Sequence, residues 1–150
     1  MVPRGYGPGA SGFQVDCGRG HERSKLPGSE GLYAPRWSPD GHYIAAVTAD
    51  DGSLRLFEVG TQKWVELARL PIGYPNWSRD SKFIFFDTAG NEPALYRVRI
   101  SDRKVEQLVS LRNIRRTGTY AWTGLALDDS PVLLRDAGTD EIYALDWQAP

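Results

Sequence analysis

The sequence predicts an all-β chain built from repeated four-stranded antiparallel sheets, on three observations. The stretch "RWSPDGHYIAAV" (residues 36–47) returns in altered form as "NWSRDSKFIFF" (residues 76–86), with 40 residues from Trp37 to Trp77. Short runs of alternating or continuous apolar residues are separated by Gly/Asp turns every 8–12 residues or so. No segment carries the 3.6-residue apolar stripe of an amphipathic helix. Recurrence of a four-stranded unit at about 40 residues is the pattern of a β-propeller.

The elements follow in chain order. "MVPRGYGPGASG" combines glycines and prolines with little to bury, so residues 1–11 are expected to form a loose leader. It has no apolar core of a secretory signal. "FQVDCGRGHERSKL" (13–26) reads as the back half of one unit, and "GSEG" (28–31) as a connector to the next. The first full unit then opens with a short strand ending at Trp37. In the following turn Pro39 presets φ, and Asp40 accepts from downstream backbone N–H groups. Gly41 supplies the positive φ that closes the hairpin. Trp37 is a plate expected to pack between neighbouring blades. "YIAAV" needs no alternation because it is covered on both faces. "ADDGS", the alternating strand "LRLFEV", "GTQK" and a shorter fourth strand ending in Leu complete the unit.

The second unit repeats the scheme from Trp77, Ser78 and Asp80, with Arg79 and Ser81 in place of Pro39 and Gly41. A left-handed Ser81 costs on the order of 1 kcal/mol, so this hairpin is expected to be the softer. A third, divergent copy follows. Asp128 stands where Asp40 and Asp80 stand, "EIYALD" (141–146) repeats the third strand, and Leu125 takes the place of the Trp. Repeats are thus expected over residues 12–147, with a tail at 148–150. The fold class is a partial β-propeller of about two full and two incomplete blades.

"WSPDG" before an apolar strand and the "YRVRISDRKVEQL" second half resemble the WD40-like repeats of the TolB type, also called PD40 repeats. Such repeats occur in propellers of prolyl-oligopeptidase-like enzymes and of bacterial signalling proteins. "WTGLALDDSPVLLRDAGTDEIYALDW" resembles the last propeller unit of large proteins that join it to a serine/threonine kinase or a winged-helix domain. The resemblance implies a fold and leaves function open. Propellers close with four blades or more, so the chain is expected to be part of a longer propeller, an open arc, or a ring completed by several copies. Open blade edges imply self-association.

Chemistry is sparse. With 18 Lys plus Arg against 19 Asp plus Glu, there is no basic footprint for nucleic acid. No apolar run approaches the ~20 residues of a membrane helix. The compartment is not specified: the chain as it stands reads as cytoplasmic, and a parent protein as periplasmic. Cys17 is alone, and His21 and His42 fall in turns without a nucleophile elbow. The pairs Asp50–Asp51 and Asp128–Asp129 lack calcium-loop spacing and read as turn carboxylates. No catalytic residue, cofactor or metal is expected. The surface feature that stands out is "SLRNIRRTGTY", in which Arg112, Arg115 and Arg116 beside Tyr120 would grip an anionic group on a partner. The expected role is therefore non-enzymatic protein or peptide binding. The alternative is the propeller portion of a kinase-linked, winged-helix or prolyl-oligopeptidase-like protein whose active domain lies elsewhere.

Overall fold

A computed structural model describes residues 12, 14–16, 23–116, 118, 119 and 123–139. Among them there is no helix, and so none long and apolar enough to cross a membrane. Among the described residues, twelve strands form two four-stranded and two two-stranded antiparallel sheets. The leading pair is β1 (Gln14–Asp16) and β2 (Arg23–Lys25). Blade 1 contains β3 (Leu32–Trp37), β4 (Tyr43–Thr48), β5 (Leu54–Glu58) and β6 (Lys63–Ala68) in that spatial order. Blade 2 contains β7 (Asn76–Trp77), β8 (Phe83–Asp87), β9 (Ala94–Arg99) and β10 (Val105–Ser110). A final hairpin pairs β11 (Thr123–Leu125) with β12 (Pro131–Leu133). The repeated sheet unit is what the sequence predicts, and "EIYALD" lies outside the described residues. The fourth strands are not shorter than the rest. The shortest strand of a full blade is β7, because residues 71–75 leave blade 1 as an extended link that buries Ile72 and Pro75 before pairing begins.

The core lies between blades. Along β4, Ala45 and Val47 face blade 2, where they meet Ile84, Phe86 and Val98; Leu54, Leu56 and Leu67 join them. The opposite face of β4 carries Ile44, which packs with Leu26, Phe57 and Trp64. That is why "YIAAV" is apolar at every position: each face has its own neighbour. Blade 2 then contacts the final hairpin through Leu95 and Leu111, with Ile114 and Leu133 against them. Since residues directly opposite share a face, Trp37 (paired with Ile44) and Trp77 (paired with Ile84) both point towards the preceding unit.

Candidate functional site

The Trp-Ser-x-Asp turns gather at one end of the blades. Ser38 is buried; its hydroxyl donates to Asp40 at 2.5 Å and accepts the Tyr43 N–H at 3.0 Å. Asp40 in turn accepts the His42 N–H at 3.0 Å. Blade 2 repeats the set through Ser78, Asp80, Lys82 and Phe83. Donation from Ser38 and Ser78, followed by the backbone N–H bonds, holds the Asp40 and Asp80 carboxyls below the ordinary carboxylate range. Asp128 is lowered in the same direction by Ser130. These three carboxylates are turn anions. The last turn differs: Ala126 replaces the serine, and its N–H reaches Ser130 rather than a fifth residue on, so the turn is one residue tighter. The sequence marks Ser38 and Ser78 as members of the structural repeat motif; their burial and paired hydrogen bonds are what the structure adds.

The left-handed residue of each turn has a second role. Gly41, Ser81 and Asp129 have φ of 74°, 59° and 63°. Ser81 Oγ accepts the Asp40 N–H of blade 1 at 3.1 Å. The Asp129 carboxylate accepts the Arg79 N–H of blade 2 at 3.0 Å, and Arg79 donates to the Leu127 carbonyl at 2.7 Å. A side chain at this position thus latches each turn to the one before.

The two repeat tryptophans are not equivalent in their surroundings. Trp77 stacks on Tyr43 of blade 1 (centroids 6.3 Å, planes at 22°) and donates its indole N–H to the Arg36 carbonyl at 3.0 Å. Trp37 does not pack between blades: it is 50% exposed, because Leu26 covers Ile44, Phe57 and Trp64 but does not extend over the inner strand. Pro39, Asp40 and Gly41 are exposed at the turn tip as expected, and so is His42. Thr48 and the Gly52 N–H occupy Asp50, another turn carboxylate.

Beside the last turn lies an open groove of about 380 Å³ between blade 2 and the final hairpin. Phe83, Phe85 and Leu108 give it an apolar floor, while Asp80, Asp128 and Asp129 carry acids along its rim. The corresponding residues of blade 1, Tyr43, Ala45 and Leu67, are covered by Trp77 and its neighbours. Here Leu125 replaces the indole and Pro131 the isoleucine, so the junction is thinner and a gap remains. The Arg97 guanidinium lies 4.7 Å from the Phe83 centroid and pairs with Glu106 at 2.9 Å.

The arginine-rich link sits at the opposite end of the blades. Arg112 pairs with Glu92 at 2.7 Å, and Arg115 with Asp136 at 3.3 Å. Arg116 donates to the Thr119 carbonyl at 3.2 Å and lies 3.5 Å from that of Thr88. The three guanidiniums hold different parts of blade 2 and the final hairpin and do not converge on one point. Tyr120, Trp122, Cys17 and His21 lie outside the described residues. No group of three or more His, Cys, Asp or Glu able to hold a metal occurs among the described residues.

No protein-family model and no curated protein matches the sequence. Solved structures do. TolB from Acinetobacter baumannii is 18% identical with a TM-score of 0.54, over 85% of this chain and 44% of that one. The β-propeller domain of the Trilobed protease from Pyrococcus furiosus, described as having an open velcro topology, is 20% identical with a TM-score of 0.51, over 59% and 31%. A prolyl endopeptidase is 18% identical with a TM-score of 0.57, over 79% and 22%. The chain spans less than half the length of each. At these identities the likeness shows the fold, which is that of consecutive TolB-like β-propeller blades.

Proposed function

We propose that this propeller module is a non-enzymatic protein- or peptide-binding unit, with the groove between blade 2 and the final hairpin as its docking place. The observation that carries this reading is the groove's chemistry: an aromatic floor at Phe83 and Phe85 beneath the acid rim of Asp80, Asp128 and Asp129. An extended segment that places an apolar side chain on the floor and a Lys or Arg at the rim matches both. The Asp80 and Asp128 carboxylates are held as anions by turn bonds, which suits them to attract a cation rather than to shuttle protons. The arginine-rich link at the other end, which pairs with this chain's own acids, is the secondary docking surface.

Selection of displayed random peptides against the intact chain tests the reading. Enriched peptides should combine an apolar residue with a basic one and lose affinity on Phe85→Ala and Asp128→Asn. Failure to enrich any peptide, or enrichment indifferent to both substitutions, contradicts it.

A second reading is the propeller portion of a larger enzyme or regulator, prolyl-oligopeptidase-like, kinase-linked or winged-helix. It is favoured by the protease structures among the similar folds.

A further inference from the structure

Both full blades open with the same irregularity. In blade 1 Tyr33 lies opposite Val47 and Arg36 opposite Ala45, so Ala34 and Pro35 together stand against Ala46 alone. Blade 2 repeats it. The Gly73 N–H reaches the Asp87 carbonyl at 2.8 Å and Asn76 lies opposite Phe85, which leaves Tyr74 and Pro75 against Phe86. Each opening strand thus has one residue too many just before it pairs regularly, a bulge that ends in a proline two positions before the tryptophan. Ala34 takes a φ of 51° to make it, a left-handed conformation that is unfavourable for an L-residue. Strand pairing does not require this arrangement. The final hairpin runs from Thr123 to Leu125 against Leu133 to Pro131 with no skip, and Thr123 stands where the other copies have Pro35 and Pro75.

β3 and β7 each end their sheet, so one side of each has no strand of the blade beside it. The Ser38 and Ser78 N–H groups point inwards, to the Tyr43 and Phe83 carbonyls at 2.9 Å. Backbone groups along an antiparallel strand alternate between its two sides. Arg36 and Asn76 therefore also face the blade, while Pro35 and Trp37, and likewise Pro75 and Trp77, turn their backbone away from it. At both edges a proline stands where an outward N–H would be, and the bulge breaks the straight row of groups that an incoming strand would pair with. Proline and bulges are two devices that blunt a sheet edge. We propose that the bulges closed by Pro35 and Pro75 guard the inner edges of blades 1 and 2, so that no extended chain, from a second copy or another protein, adds to them as a further strand. Self-association through these two edges, which open blades would otherwise invite, is thereby opposed. The guard is independent of the groove between blade 2 and the final hairpin, and peptide selection at that groove neither supports nor weakens it.

Light scattering and thioflavin fluorescence of the intact chain, followed over time without denaturant, test the proposal. Pro35→Thr and Pro75→Thr each restore an outward N–H with a residue that strands favour. The double variant should keep the far-UV spectrum of the wild type. Its mass growth and thioflavin signal should outpace the wild type by roughly fivefold, the worth of about one backbone hydrogen bond at an edge. Two further variants separate an edge effect from general damage. Pro71→Thr removes an exposed proline from the link between blades, and Ser78→Ala weakens a turn without adding an outward donor. Both should follow the wild type in mass and thioflavin signal. If a threonine variant loses its fold, Pro35→Ala and Pro75→Ala restore the same N–H without the branched side chain and take its place. A folded double variant that associates no faster than the wild type overturns the proposal. So does a Pro71→Thr or Ser78→Ala chain that gains as much as the double variant.

Discussion

The hydroxyl of Ser81 accepts a hydrogen bond from the backbone N–H of Asp40, 41 residues earlier in the chain, at 3.1 Å. One side chain therefore joins the hairpin turn of one blade to that of the next. Ser81 stands where the first copy has Gly41, and it holds the left-handed conformation that glycine would take more cheaply. The strain and the bond oppose each other within one residue.

That opposition orders two substitutions. Ser81→Gly loses the bond but relieves the backbone, so its stability should fall within about 1 kcal/mol of wild type. Ser81→Ala loses the bond and keeps the strain, and should be the more destabilised by roughly 1 kcal/mol. Urea unfolding of the two variants checks the order; equal midpoints of the two would mean that the strain is negligible, and a Ser81→Ala midpoint equal to that of wild type would mean that the latch is.

Ser38 and Ser78 are buried, and each both donates to a carboxylate and accepts a backbone N–H. Ser78→Ala leaves the Phe83 N–H without its partner and should cost about 1–3 kcal/mol. The same measurement on Ser130→Ala, in the exposed last turn, should show less than about 0.5 kcal/mol.

The paired tryptophans separate packing from pattern. Trp77→Ala removes the plate between blades and should destabilise by about 2–4 kcal/mol. In dilute solution Trp37→Ala should cost less than about 1 kcal/mol, since half of that side chain is already in water. Thermal unfolding of both variants gives the comparison.

Acid should loosen the turns. The folded carboxyls of Asp40, Asp80 and Asp128 titrate lower than in the unfolded chain. The stability they contribute is therefore fully present above the unfolded value of about 4, and is lost as pH falls through the lowered folded values. Urea midpoints should be flat with respect to these groups above pH ~5 and drop below pH ~4. Combining Ser38→Ala with Ser78→Ala should flatten that drop, because the serine hydroxyls are the largest cause of the lowering at Asp40 and Asp80.

The repeat, the strand order and the positive φ at Ser81 were legible because each is local: alternation, turn residues and aligned copies suffice. What was not legible depends on which unit stands next door. Trp37 and Trp77 look alike in sequence, yet Trp77 stacks on Tyr43 and Trp37 is left half exposed. The latch joins residues 41 apart and cannot be read from either turn alone. The groove follows from Leu125, whose departure from the repeat was visible, but its size also needed the tighter turn after Ala126. Arg112, Arg115 and Arg116 looked like one cluster because they are close in sequence. Their partners Glu92 and Asp136 and the Thr119 carbonyl pull them to different places.

The central claim is that Trp77 stacks one blade on the next, and proton NMR of the intact chain tests it most directly. The account predicts cross-relaxation between the Trp77 and Tyr43 rings, and a Trp77 indole N–H that exchanges with solvent far more slowly than that of Trp37. A Trp77 ring with no contact to Tyr43, and two indole protons exchanging at the same rate, would contradict it.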